Sequence, residues 1–120
     1  MPSQHRKHRG YKTQDLVAQY LKKNGWQFAE STGAGRQGSD ITGTPCIDWE
    51  VKARANFDPI GAMKQSMERA KNGTIPIAVL RPNGWGEANV DKFPCVVPLS
   101  IMVQLLKEAG YDTDSPTLHG

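Results

Sequence analysis

"GSDITGTPCIDWEVK", residues 38–52, sets Asp40, Asp48, Glu50 and Lys52 among turn formers and apolar residues. Side chains alternate across a β-strand, so over residues 46–52 Ile47, Trp49 and Val51 face one way while Asp48, Glu50 and Lys52 face the other. One face is core and the other a row of charges. The "GTP" at 43–45 reads as a turn, and an antiparallel return through it sets Asp40 roughly opposite Glu50, at the separation of a cross-strand pair. Carboxylates that close raise one another's pKa unless a cation lies between them. Hard oxygen donors of this kind favour magnesium or manganese over zinc. The plainer alternative is a solvent-facing edge strand, with Lys52 in an ordinary surface ion pair to Asp48 or Glu50.

Upstream, Leu16, Val17, Tyr20 and Leu21 recur at helical spacing from Thr13 to Asn24, with Lys22 and Lys23 in the last turn and "NG" as the stop. "WQFAE" at 26–30 alternates like a half-buried strand, and "STGAGRQG" at 31–38 is a small-residue loop carrying Arg36. Downstream, Asp58 and Pro59 read as the N-cap and first position of a second helix, whose apolar stripe is Ile60, Met63, Met67 and Ala70. "TIPIAVL" from Thr74 is apolar enough for a central strand covered on both faces, with Pro76 placing one end near an edge or bulge. "RPNGWGEAN" is a loop and "FPCVVPL" a short strand. Ser100 then opens a third helix, expected to bury Ile101, Met102, Leu105, Leu106 and Ala109 before Gly110.

At 120 residues the chain has the size of a single domain, with residues 1–10 as a basic N-terminal arm and 111–120 as a loose tail. Hydrophobic residues make up 38% and charged residues 22%, a globular balance, and no apolar run reaches the length of a membrane span or a signal-peptide core. A soluble protein of the cytoplasm follows, the host cytoplasm if a virus encodes it. Cys46 and Cys95 are too far apart for a zinc-ligand pattern and read as buried free thiols in apolar settings. The net charge of +3 is concentrated in "MPSQHRKHRGYK", where Arg6, Lys7, Arg9 and Lys12 stand without an acid. That composition suits phosphate contacts and counterion release, and equally suits a solvated arm.

The order helix, strand, loop with "SD", turn, "EVK", helix with a glutamine, strand resembles the PD-(D/E)XK nuclease superfamily, and within it the archaeal-type and phage Holliday-junction resolvases. The likeness runs from Arg6 through Leu80 and includes the "RKHRG" that opens the first helix. It implies a restriction-endonuclease-like α/β core, a central mixed β-sheet flanked by helices in the order α-β-β-β-α-β. It also implies that Asp40 and Glu50 bind the metal, that Val51 lends its backbone carbonyl, that Lys52 assists the attacking water, and that Gln65 supports the site from its helix. The cofactor would be Mg2+, with Mn2+ substituting, and the partners branched DNA and a second copy of the chain in a two-fold dimer. Arg6, Lys7, Arg9, Lys12, Arg36 and Arg54 would contact DNA, with Arg81 a further phosphate candidate. Ser39 stands where the family motif has proline. Resolvases carry a glutamate on the first helix, and Gln14 holds that position with Asp15 beside it, so either Asp15 substitutes or that ligand is missing. Two alternatives to junction cleavage remain open: a nuclease for linear or damaged DNA, and a catalytically silent nuclease-like DNA-binding module.

Overall fold

In a computed structural model, residues 3–33, 38–53, 58–71 and 73–112 are described, with side chains from Gly10 onward. Helix α1 (Ser3–Lys23) runs back through the basic segment, so its backbone is helical well before Thr13. Thr13, Gln14, Val17, Ala18 and Leu21 form its buried stripe, at the spacing that returns a helix to the same face. Gly25, at a φ of 115°, turns the chain out of the helix, and Trp26 N–H donates to the Leu21 carbonyl at 3.1 Å. This turn overrides the strand expected at "WQFAE". Ala29 N–H bonds to the Trp26 carbonyl at 2.9 Å, Phe28 is 74% exposed, and only β1 (Glu30–Ser31) pairs, antiparallel to β2 (Ile41–Thr42).

The main sheet is mixed and three-stranded, in the order β3-β4-β5. Strand β3 (Ile47–Ala53) lies parallel to β4 (Ile75–Arg81), with Ile47 opposite Ile75 and Ala53 opposite Arg81, and β5 (Cys95–Val96) is antiparallel to β4. A parallel pair requires a crossover, here helix α2 (Pro59–Arg69), capped by Asp58 through a 2.9 Å bond from Gly61 N–H. Helix α1 covers one face of the sheet, where Val17, Ala18 and Leu21 meet Trp49, Val51, Val79 and Phe93. On the other side, Ala62 of α2 meets Ala78 and Leu80. The architecture is thus mixed α/β, helices flanking a small mixed sheet.

Pro76 sits inside the central strand without breaking it. Ile75 N–H donates to the Cys46 carbonyl on the β3 side at 2.7 Å, so the next position faces β5, which pairs only with Ala78 and Val79. The missing N–H therefore leaves no acceptor unpaired there.

Three expectations fail for one reason, that an apolar pattern does not say what covers it. The second helix turns Ala62 and Ser66 inward, leaving Ile60 and Met67 of its expected stripe exposed. Helix α3 (Leu99–Glu108) buries no residue, and Leu99, Met102, Val103 and Leu106 are exposed, because α1 and α2 already occupy the two faces of the sheet. Cys46 and Cys95 are exposed rather than buried; Cys46 lies in the turn before β3 at a φ of 67°. Among the described residues, no helix is long and apolar enough to cross a membrane.

Candidate active site

Asp40 is fixed to the outer edge of β3. Its N–H donates to the Trp49 carbonyl at 2.8 Å and its own carbonyl accepts Thr32 N–H at 3.0 Å. Its Oδ2 accepts the Val51 N–H at 2.7 Å. Ser39 adds a second clasp, its hydroxyl accepting Trp49 N–H at 2.9 Å and donating to the Ile41 carbonyl at 2.7 Å. A proline at 39 could make neither bond. The segment approaches β3 as the turn reading expected, although its ladder partner is β1. Within a strand the N–H and C=O of one residue point to the same side, so the Val51 carbonyl is turned toward the edge where Asp40 lies.

On the face toward α2, both acids of β3 are buried and paired. Arg69 reaches across from the last turn of α2, with Nη1 at 2.7 Å from Glu50 Oε1, Nη2 at 2.7 Å from Asp48 Oδ1 and Nε at 3.2 Å from Asp48 Oδ2. The Ser66 hydroxyl, fully buried, donates to Asp48 Oδ1 and to the Asp48 carbonyl at 2.9 Å. Lys52 Nζ stands 3.0 Å from Glu50 Oε2. The Asp48 and Glu50 side chains are 10% and 8% exposed, so this is not the solvent-facing charge row of an edge strand. Two unpaired carboxylates could not be buried there; the helix brings its hydrogen-bond donors, not its apolar stripe, to the sheet.

Three carboxyl groups, Asp40, Asp48 and Glu50, share two cations, Lys52 and Arg69. The Asp40 carboxyl is pushed up to about 6, chiefly by burial and further by the nearby Glu50 charge, against the Val51 N–H, Arg69 and Lys52. The Arg69 guanidinium is held above its ordinary value by its bonds to Asp48 and Glu50, with burial opposing them.

Of the residues named from sequence, Asp40, Glu50, Val51 and Lys52 gather around the end of β3. Gln65 is exposed on α2, and among the described residues no hydrogen bond links it to this group. Arg36 and Arg54 lie outside the described residues, as do the side chains of Arg6, Lys7 and Arg9; Lys12 is exposed on α1. Arg81 is half-buried, its Nε donating to the Trp85 carbonyl at 2.6 Å and its Nη1 to Thr13 Oγ1 at 3.0 Å, and it helps line a cavity of about 280 Å³ with Ala53 and residues 82–86. On the first helix Gln14 is buried, its Oε1 without a hydrogen-bond partner among the described residues, whereas Asp15 is exposed. Sequence reading missed Ser66 and Arg69; two acids on one strand face, requiring buried donors from the following helix, were the available signal.

The Asp40 and Glu50 carboxylates and the Val51 carbonyl are hard oxygen donors, a set that fits magnesium or manganese. Among the described residues, no three His, Cys, Asp or Glu side chains gather to hold a metal by themselves, so main-chain oxygen or water would have to complete the shell. Comparison with protein-family models, with curated proteins and with solved structures found no match to this chain.

Proposed function

We propose that the chain is a metal-dependent endodeoxyribonuclease of the PD-(D/E)XK type, with a restriction-endonuclease-like core, acting on branched DNA such as four-way junctions as a homodimer. The observation that carries this reading is the tie between "SD" and "EVK": Asp40 Oδ2 on the Val51 N–H, with Lys52 Nζ 3.0 Å from Glu50 on the same strand. Mg2+, or Mn2+ in its stead, would be held by Asp40, Glu50 and the Val51 carbonyl, and when bound supplies water activation and charge neutralisation at phosphorus. Asp40 and Glu50 are held by their hydrogen bonds in a fixed geometry. Lys52 is a compact cation able to orient the attacking water, to accept or pass on its proton, or to screen the phosphate.

The test is incubation of the chain with four-way, forked and linear DNA, in magnesium and in chelator. Magnesium-dependent cleavage with preference for the branched substrates, abolished in Asp40→Asn while DNA binding persists, is the expected result. Cleavage retained by Asp40→Asn overturns the site assignment. Equal cleavage of linear DNA moves the substrate to the linear or damaged class.

A second reading has its own support. Both Glu50 oxygens already face cations, Arg69 and Lys52, as they would in a silent DNA-binding module that keeps the fold and not the chemistry. Junction binding at full strength without any metal-dependent cleavage is the outcome that selects it.

A further inference from the structure

We infer that Arg69 is a positioning residue that sets the orientation of the Glu50 carboxylate, and that Asp48 exists to hold Arg69. The inference rests on the metal-dependent reading above and assigns roles to two residues that the motif does not include.

The bonding is divided unequally. Both Asp48 oxygens are spent on Arg69, Oδ1 at 2.7 Å from Nη2 and Oδ2 at 3.2 Å from Nε, and Oδ1 also takes the Ser66 hydroxyl at 2.9 Å. Each Glu50 oxygen takes one donor, Oε1 from Arg69 and Oε2 from Lys52. A carboxylate oxygen has two lone-pair directions, so Glu50 keeps one open on each atom. Asp48, with three donors, keeps a single direction open on Oδ2, whereas Glu50, with two, keeps one on each oxygen and so the greater capacity for a cation. Arg69 Nη2 also reaches the Trp49 carbonyl at 3.2 Å, anchoring the fork between the two acids.

Geometry also explains why the residue is arginine. The guanidinium is a rigid planar fork: one edge, Nε and Nη2, matches Asp48, while Nη1 on the other side is left for Glu50. Asp48 fixes the plane, and the plane fixes where Nη1 meets Glu50. An ammonium could satisfy either acid but could not transmit orientation from one to the other. Outer partners of ligating carboxylates influence metal affinity in this way, by about 10- to 100-fold.

The test measures Mn2+ affinity by electron paramagnetic resonance on the full chain without DNA, beside the melting temperature. Arg69→Lys keeps the charge and removes the fork; Asp48→Asn is isosteric and loosens the fork from the other side. Both are expected to weaken Mn2+ binding at least about tenfold, and the double variant no more than the worse single one, because the pair acts as a unit. Val17→Ala, in the α1 core, controls for instability: it should lower the melting temperature and leave Mn2+ affinity unchanged. Wild-type affinity in folded Arg69→Lys and Asp48→Asn overturns the inference and leaves the nuclease reading standing. Tighter Mn2+ binding in either also overturns it, since Arg69 would then be a competitor for the acids. If Arg69→Lys does not fold, Asp48→Asn decides alone. Absence of Mn2+ binding by the wild type removes the metal-dependent reading and this inference with it.

Discussion

Asp40 and Val51, eleven residues apart in the chain, are joined by a 2.7 Å hydrogen bond from the Val51 N–H to Asp40 Oδ2. The bond spans the turn through Gly43 and ties Asp40 to the strand that carries Glu50. It also holds a carboxylate where burial disfavours its charge. The Asp40 carboxyl is consequently pushed up to about 6 from its ordinary 3.8, with Glu50 adding to the rise and the Val51 N–H, Arg69 and Lys52 opposing it.

A pH dependence follows, with a definite sign. Because the folded chain binds this proton more tightly than the unfolded one, the stability owed to Asp40 is greatest below about pH 4 and declines as pH rises to about 6, the folded value. In chelator, the melting temperature of the wild type should fall relative to Asp40→Asn across that window and run parallel to it above. Manganese should reverse the decline above the window, since the ionised carboxylate is the form that takes a cation. Parallel wild-type and Asp40→Asn curves throughout would place Asp40 at its ordinary value.

The turn itself can be probed at Gly43 and Phe28. A Cβ at Gly43 would fall on the Phe28 carbonyl oxygen, and its φ of 82° is in the left-handed region. Gly43→Ala should therefore cost about 2 kcal/mol or more in urea denaturation. Phe28→Ser should stay within about 0.5 kcal/mol, because the ring is 74% exposed. Were residues 26–30 a half-buried strand, Phe28→Ser would be the damaging substitution.

These positions also mark what was legible in the sequence. Asp40, Glu50 and Lys52 could be read because strand alternation is local and the turn needs no distant information. The charged face of α2 could not be read the same way: Ile60, Met63 and Met67 make the stronger apolar stripe, yet Ala62, Ser66 and Arg69 face the sheet. What decides the helix rotation is two buried carboxylates on another element, and their need for donors outweighs the gain from burying methionine. "WQFAE" misled by its alternation, since Gly25 redirects the chain before a ladder can form. For α3 the amphipathic pattern specified a face but not a partner.

The basic start of α1 offers a separate test. Among the described side chains the buried stripe of α1 lies between Thr13 and Leu21, so deleting residues 1–9 retains it while removing Arg6, Lys7 and Arg9. DNA affinity measured over a salt series should weaken, and its log-log slope should become shallower by roughly one unit for each phosphate that these three side chains neutralise. An unchanged slope would make this segment a solvated helix end with no role in binding.

Lys52 separates catalysis from structure most sharply. Its Nζ is 3.0 Å from Glu50 Oε2 and its side chain is 26% exposed, while Arg69 independently holds Glu50 Oε1 at 2.7 Å. Lys52→Ala thus leaves Glu50 with its second cationic partner, so the buried carboxylate is not stranded, and the loss should stay near the exposed-pair scale of about 1 kcal/mol rather than that of an uncompensated buried charge. If Lys52 only balances Glu50, single-turnover cleavage of a four-way junction in magnesium should be nearly unchanged. If it orients or deprotonates the attacking water, the rate should fall on the order of a hundredfold or more with junction affinity intact. Lys52→Arg keeps the charge and can still bond to Glu50, but it changes the reach and cannot give up a proton near neutral pH. It should be impaired as severely as the alanine variant. Near-normal rates in both variants, at unchanged melting temperature, would reduce Lys52 to a counter-ion of Glu50.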